Sequence, residues 1–420
     1  MKNQISLKDT LDPIIQNPET TLETLLKSDS FLLYLKNSAD QLNLIDFLCK
    51  DDNPYKILKY ALMSSMDIED FKTIHSYCIT ILTSSYFNDR SLRTRFIKNS
   101  KFIECLVNFP ESDFLRNNFI CANYSKIIEF FLCHLSKFPN EQKIIKDNFG
   151  FLQNFLLNNI NILPFRELSI KLILSYPDLI NRSSDMFINM IEFNLADQNK
   201  LFFALHSIIH VLSEKPSLDS LIDNENFGNL ILKVGIDNYD SNPLISTQAF
   251  KIFEHIKERS TQPNFQNIIK STDFIFTSVN TATTNALQLF PNNIENFIIP
   301  FFEFKCTTFL NDTIVIIFRS LKKQEMSDII TKYHINNLIM KSFENYILSK
   351  TNGHFFELTK IISDSKTICC TEHETDWNLF ILQKLNSRKQ QVNKKTETKI
   401  SNEKKFFHLS MFKQNMRPRK

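Results

Sequence analysis

The chain has 420 residues, 43% of them hydrophobic and 23% charged, which is the composition of a protein with a folded core. It contains 4 glycines, too few for a dinucleotide- or phosphate-binding fold, where the backbone must approach the ligand closely. The net charge is +3, but segment 384–420 holds 12 Lys and Arg against 2 Glu, a local charge of +10; subtracting it leaves the rest of the chain at −7.

Residues 1–18 form a polar lead-in that ends at a proline turn and has no apolar core typical of a secretion signal. From residue 19 onward, apolar residues recur at the spacing of amphipathic helices, in pieces separated by short Asn, Asp, Ser and Pro breaks. Pro54 follows one such break and is predicted to open a helix at its first turn. The segment 242–259 is predicted to be another helix that begins at a proline.

The predicted helices pair up about every 40–50 residues, which is the length of an armadillo or HEAT unit. A helix that is apolar along one stripe needs neighbours to cover it, and a stack of helix pairs supplies them. The sequence therefore predicts an all-α fold, an armadillo/HEAT-like α-solenoid over 19–385 that is expected to be a monomer. A basic tail over 386–420 is predicted to be disordered, with one apolar island, FFHLSMF, at 406–412.

The last part of the predicted solenoid, 299–385, is its most informative stretch. It is predicted to form helices over 299–310, 320–347 and 352–368, none of which carries a catalytic signature. Trp377, the single tryptophan, is predicted to anchor the final helix.

Motifs for catalysis and for cofactor binding are absent from the sequence. There is no phosphate-binding loop, no HExxH and no nucleophile elbow, so we expect neither an enzyme nor a cofactor. His206 and His210 have the spacing of two metal ligands, but their helix is strongly apolar and they are interpreted as flanking the core. The CCTEHE segment at 369–374 lacks the paired geometry of a zinc site and is interpreted as a connecting loop.

The 8 cysteines include no CxxC pair, and most lie among apolar neighbours, as expected in a reducing compartment. No run of about 18 apolar residues occurs, so no membrane span is predicted. These observations predict a cytoplasmic protein, with the nucleus as a second compartment. The lysine pairs at 394–395 and 404–405 loosely match a bipartite nuclear signal.

Three short segments resemble the 26S proteasome non-ATPase regulatory subunit 5 family. They are PFFEFKC at 300–306, FELTK at 356–360 and SKTI at 365–368, and they occur in the family's order at similar separation. The NPL at 242–244 is a weaker match. Together the convincing part covers roughly 90 residues of the chain.

The resemblance implies an armadillo/HEAT-like chaperone for assembly of the base of the proteasome regulatory particle. Such a protein binds the C-terminal domain of one proteasomal ATPase subunit and leaves before the mature particle forms. It implies no catalytic, cofactor or metal site, and no partner-binding residue of the family can be placed on this sequence.

Two alternatives remain at this point. The chain could be another armadillo/HEAT adaptor or scaffold, for nuclear transport, phosphatase assembly or trafficking, with a protein cargo. It could also be a nucleic-acid or membrane binder driven by the basic tail, whose affinity would fall steeply with salt. We expect no specific nucleic-acid binding, because no folded face with aromatic platforms is apparent, and no membrane partner.

Overall fold

The computed structural model describes residues 13–28, 31, 35, 42–63, 70–83, 90–109, 115, 117–135, 150–175, 184–215, 219–260, 264–303, 306–345, 352–365 and 375–383. Within these residues all regular secondary structure is helical, which confirms the predicted all-α class. Most of the lead-in, the CCTEHE segment, the SKTI match after Ser365 and the basic tail lie outside the described residues.

The helices of the first part of the chain are, in order, α1 Leu22–Leu26, α2 Leu42–Leu48, α3 Asn53–Ala61, α4 Phe71–Thr83, α5 Arg90–Lys98, α6 Ser100–Asn108, α7 Asn118–Leu135, α8 Leu152–Asn158, α9 Leu163–Ser175, α10 Ser184–Glu192, α11 Gln198–Glu214 and α12 Asp219–Ile222. They are followed by α13 Glu225–Asp237, α14 Pro243–Arg259, α15 Asn264–Ser271, α16 Thr283–Leu289, α17 Glu295–Phe302, α18 Thr308–Ser320, α19 Lys323–Tyr333, α20 Ile335–Asn345 and α21 Asn352–Asp364. A last helix, α22, covers 375–383.

The chain divides into two compact units. The first comprises residues 1–235 and 244–266, and the second comprises 236–243 and 267–420. In the first unit α4 packs against α3 and α7, and α9 packs against α7 and α11, so each of these helices meets helices that lie one to three places away in chain order. In the second unit α18 packs in the same way between α16 and α21.

Several helix ends follow the signals that the sequence carries. The Asn99 side chain accepts a hydrogen bond from Phe102 N at the start of α6, and Asp197 accepts from the backbone of Asn199 and Lys200 at the start of α11. Pro54 lies in the first turn of α3, as predicted. The Asn99 and Asp197 side chains thus accept hydrogen bonds from backbone N–H groups that have no partner inside their helix.

Two predicted helices are interrupted in the structure. The helix predicted over 299–310 is wrong, because α17 ends at Phe302 and α18 begins at Thr308, where Thr307 caps the new helix by accepting from Leu310 N. The helix predicted over 320–347 is also two helices. His334 separates them with a left-handed φ of 48°, a conformation that ends a helix.

Several long-range side-chain hydrogen bonds in both units join residues 37 to 49 positions apart. In the first unit Lys101 Nζ lies 2.8 Å from an Asp52 oxygen, 49 residues away. In the second unit Tyr239 donates to Ser278 O at 2.8 Å, 39 residues away. Polar contacts between helices therefore recur at about the length of one helix pair.

Asn194 makes one of these contacts from a buried position. It is 1% exposed, and its Nδ2 donates to Met190 O at 2.7 Å and to Leu157 O at 3.4 Å. The Asn194→Ala variant would leave buried carbonyls without this donor, so we expect a loss of about 1–3 kcal/mol in the free energy of unfolding. Urea denaturation followed by circular dichroism measures this, with exposed Asn118→Ala as the matched control; equal midpoints would contradict the prediction.

Candidate interaction surface

Two of the segments that carry the family resemblance, 300–306 and 356–360, contribute residues to one core of the second unit, together with Phe355, which directly precedes the second segment. Phe301 and Phe302 of α17 both contact Phe355 of α21, with ring centroids 5.2 Å and 5.4 Å apart, the first pair edge-on and the second stacked. All three side chains are buried. Aromatic pairs of this geometry stabilise a fold beyond the area they bury.

The FELTK segment also contributes buried side chains. Leu358 and Thr359 are buried, and the Thr359 hydroxyl donates to Phe355 O at 2.6 Å. Cys306, from the PFFEFKC segment, is half-buried against the same core, and burial raises the pKa of its thiol to about 11. The described residues of both segments therefore act mainly by packing, and a partner has to be bound by other side chains.

One face of α18 is the clearest candidate for such a surface. Phe309 is 76% exposed and Ile316 is 57% exposed, and their spacing of seven residues places them on one side of the helix. Asp312 and Arg319 lie on the same side. We call these four residues the α18 face.

Two polar contacts with α21, of which the one between Arg319 and Glu357 is an ion pair, flank the exposed apolar residues. His354 Nε2 lies 2.8 Å from an Asp312 oxygen, and Arg319 Nη2 lies 3.4 Å from a Glu357 oxygen. Both pairs are largely exposed to solvent apart from the His354 ring, so each contributes little stability. Their effect is to orient polar groups around two apolar side chains, which is the arrangement of a small protein-binding patch.

Sequence analysis did not identify the α18 face. The helix sequence, TFLNDTIVIIFRS, has apolar residues on more than one side, and the inner ones, such as Ile314 and Phe318, are buried. The sequence did carry one signal of an exposed apolar side, the five consecutive apolar residues at 314–318. Five consecutive residues of a helix cannot all face the core.

The first unit contains a cleft of about 530 Å³ between α3 and α6. Its floor is apolar, with Leu62, Met63 and Phe109, and Lys59 and Lys101 stand among its walls. Lys101 is already paired with Asp52, with its Nζ 2.8 Å from one carboxylate oxygen and 3.0 Å from the other. This pairing reduces the positive charge that the cleft offers to a ligand.

Cys105 also lines this cleft. Burial raises the pKa of its thiol, and the neighbouring Lys59 opposes that shift only partly. A thiol with a raised pKa is a weak nucleophile at neutral pH. The cleft is therefore suited to binding an apolar group rather than to covalent chemistry.

A second cleft, of about 360 Å³, lies between α11 and α14. Lys251, Glu254, His255 and Glu258 line it from α14, and Ile209, Leu212 and Ser213 line it from α11. His255 Nε2 lies 3.2 Å from Leu212 O, and Arg259 donates to the same carbonyl at 3.3 Å. These two basic side chains cap the C-terminal end of α11, which is a structural role.

His206 and His210 are both exposed on α11, and His206 stacks on Phe202. Burial, and then the nearby Arg166 and His210, lower the pKa of His206. Among the residues that the structure describes, no group of three or more His, Cys, Asp or Glu side chains is arranged to hold a metal ion. Trp377 is 4% exposed and packs in the core of the second unit, the position expected of an anchor.

His75 is the buried titratable group of the first unit with a clear effect on stability. It is 8% exposed, it stacks against Phe119 with centroids 5.5 Å apart, and its Nε2 lies 3.4 Å from Asn123 Nδ2. Burial lowers its pKa below the ordinary value. As pH falls through about 6.5, the unfolded chain binds the proton first, so the free energy of unfolding decreases.

The His75→Gln variant, which does not titrate, should lose less stability than the wild type between about pH 7.5 and pH 5.5. Urea midpoints across this range measure the effect. The exposed Asn118→Ala substitution removes no titratable group; it is the control and should keep the wild-type pH dependence. Identical slopes for His75→Gln and wild type would refute the role of His75.

Comparison with known protein families, with curated proteins and with solved structures finds no match for this chain. No helix among the described residues has both the length and the apolar composition needed to cross a bilayer. The likeness to the proteasome subunit family thus remains a prediction drawn from three short segments.

Proposed function

We propose that this protein is a non-enzymatic chaperone for assembly of the base of the 26S proteasome regulatory particle. It binds the C-terminal domain of one proteasomal ATPase subunit, in the cytoplasm and also in the nucleus. The observation that carries the proposal is that residues of two segments of the resemblance share one core. Phe301 and Phe302 of PFFEFKC pack against Phe355, which directly precedes FELTK, and Leu358 of FELTK lies in the same hydrophobic cluster. Residues that resemble a family in order and spacing and also form one core support a common fold.

The architecture that we propose for this function is an armadillo/HEAT-like α-solenoid. Its support is the recurrence of side-chain hydrogen bonds at separations of 37 to 49 residues in both units. In a solenoid each repeat contacts only its neighbours, so contacts at about one repeat length are the expected pattern.

The mechanism is steric. While the chaperone occupies the ATPase C-terminal domain, that domain cannot dock prematurely on the proteasome core particle. The correct neighbouring subunits then compete for the same surface, and the chaperone dissociates. The charge of −7 outside the basic tail favours a partner with a basic face, mainly by increasing the rate of association.

We propose that the α18 face contributes to this binding. Phe309 and Ile316 offer the exposed apolar contact, and the flanking polar contacts offer hydrogen-bonding groups at its rim. Exposed aromatic residues are common among the side chains that carry most of the energy of an interface.

The test of the proposed function is an affinity purification of the full chain from its own cell extract at moderate salt, with bound proteins identified by mass spectrometry. Regulatory-particle ATPases should be recovered without mature core particle, and an isolated ATPase C-terminal domain should then bind directly. Recovery of importins, phosphatase subunits or RNA without any ATPase would overturn the proposal.

A double variant, Phe309→Asp with Ile316→Asp, tests the surface. Both side chains are exposed, so the fold should be retained, and we expect affinity for the ATPase domain to fall at least tenfold. Leu163→Asp, at a 50% exposed leucine in the first unit, is the matched control and should bind as the wild type does. Unchanged affinity in the double variant would show that the α18 face does not contribute to binding the ATPase domain. The proposed function itself would still be tested by the purification experiment.

A further inference from the structure

The last described helix, α22, exposes apolar residues on the side away from the core. Its sequence, TDWNLFILQ, contains five large apolar residues, of which Trp377 alone is fully buried. Leu379 is 55% exposed and Leu382 is 62% exposed. Two leucines three positions apart lie on one face of a helix, so they form one apolar strip.

The opposite face of α22 is already covered. Phe380 contacts Phe343 of α20 with ring centroids 5.3 Å apart, and Trp377 stacks on Phe380 at 5.7 Å. Ile381 also packs against the core of the second unit. Rotating α22 to bury the two leucines would therefore expose these side chains instead.

The four consecutive apolar residues at 379–382 cover most of the circumference of the helix, since each residue turns it by about 100°. Thr375, Asn378 and Gln383 are exposed on the same side as Leu379 and Leu382. The exposed side of α22 is therefore a narrow apolar strip with a polar border, which is the arrangement of a small docking surface.

The chain that follows α22 contains one segment of suitable composition. Residues 384–405 are mostly polar and charged, and FFHLSMF at 406–412 has five large apolar residues among seven. A spacer of 22 residues can span at most about 70 Å, against about 13 Å for the whole of α22. The segment can therefore reach α22. Because both belong to one chain, its effective concentration at α22 is high, which is not the case for a separate partner.

We propose that the segment 406–412 of the same chain docks on Leu379 and Leu382 and caps the C-terminal end of the second unit. Its apolar side chains cover the exposed strip of α22. The basic spacer at 384–405 holds 8 Lys and Arg against 2 Glu, a charge of +6, and is drawn to a body of charge −7, which strengthens the contact at low salt. Docking also shields an apolar surface that would otherwise favour association with other molecules.

The first experiment places a photo-crosslinking amino acid at position 382 of the full chain. After irradiation, mass spectrometry should find crosslinks to 406–412, and a mixture of isotopically light and heavy chains should show that they form within one chain. Crosslinks between chains, to another protein or to other segments of this chain would overturn the proposal, as would their absence. The same amino acid at Leu244, 59% exposed on α14, is the control and should not crosslink to 406–412.

The second experiment uses Trp377, the single tryptophan, as a reporter of α22. Replacing Phe406, Phe407 and Phe412 with serine should speed hydrogen exchange in 375–383 by about tenfold or more and shift the Trp377 emission to longer wavelength. The control variant, Gln390→Ala with Gln391→Ala, keeps both the apolar segment and the charge of the spacer and should change neither signal. Wild-type exchange and emission in the serine variant would show that the segment does not cover α22.

Discussion

The Phe355→Ala variant is expected to lose about 3–5 kcal/mol in its free energy of unfolding. Phe355 is 1% exposed and contacts the rings of Phe301, Phe302 and Phe343. Removing it leaves a cavity at the point where α17, α20 and α21 meet, and close-packed neighbours relax into such a space only in part. A loss of this size is a large fraction of the stability of a typical domain.

Urea denaturation followed by Trp377 fluorescence measures this effect, because Trp377 lies in the same hydrophobic core as Phe355. The control is Phe309→Ala, the same substitution at a phenylalanine that is 76% exposed, where we expect a change within about 0.5 kcal/mol. If the two variants unfolded at the same urea concentration, the central role of Phe355 in this core would be refuted.

The Gly228→Val variant is expected to lose about 3 kcal/mol in the first unit. A Cβ atom at position 228 would lie 2.3 Å from Cε1 of Phe265, which is itself 1% exposed and cannot swing into solvent. Gly228 lies inside α13, and no described glycine has a positive φ. The need for glycine at this position is therefore one of space and not of backbone conformation.

Circular dichroism during urea denaturation measures the loss. Gly353→Val is the matched control, because a Cβ atom at Gly353 meets nothing within 4 Å and the stability should change by less than about 0.5 kcal/mol. Combining Gly228→Val with Phe265→Leu should cost less than the sum of the two single variants, since the smaller side chain makes room. Strict additivity would show that the two residues do not clash.

The existence of most helices could be predicted from the sequence because the signal is local. The apolar stripe of α14, with Ile245, Ala249 and Ile252 buried, was visible at helical spacing, and so was the proline in the first turn of α3. A stripe of this kind indicates which side of a helix faces the core, independently of which residues fill that core.

The breaks inside the C-terminal stretch were predicted less well. Thr307 begins a helix through a side-chain cap, and His334 ends one through a left-handed backbone conformation. Neither residue type has that role in every context. The run from 320 to 347 keeps a helical period across His334, so periodicity alone predicted one helix where the structure has two.

The candidate surface was also beyond sequence analysis. The segments that resemble the proteasome subunit family are the recognisable ones, yet Phe301, Phe302 and Leu358 of these segments are buried in the core. The exposed Phe309 and Ile316 belong to a helix with apolar residues on several sides. Which of those sides meets solvent depends on how α16 and α21 pack around it.

The sequence by itself determined the all-α class, because periodicity and breaks are properties of neighbouring residues. Only the tertiary structure decided which apolar side chains are buried, which polar groups pair across about 40 residues, and that Gly228 has to make room for Phe265. These outcomes depend on contacts between residues far apart in the chain, and no local pattern encodes such contacts.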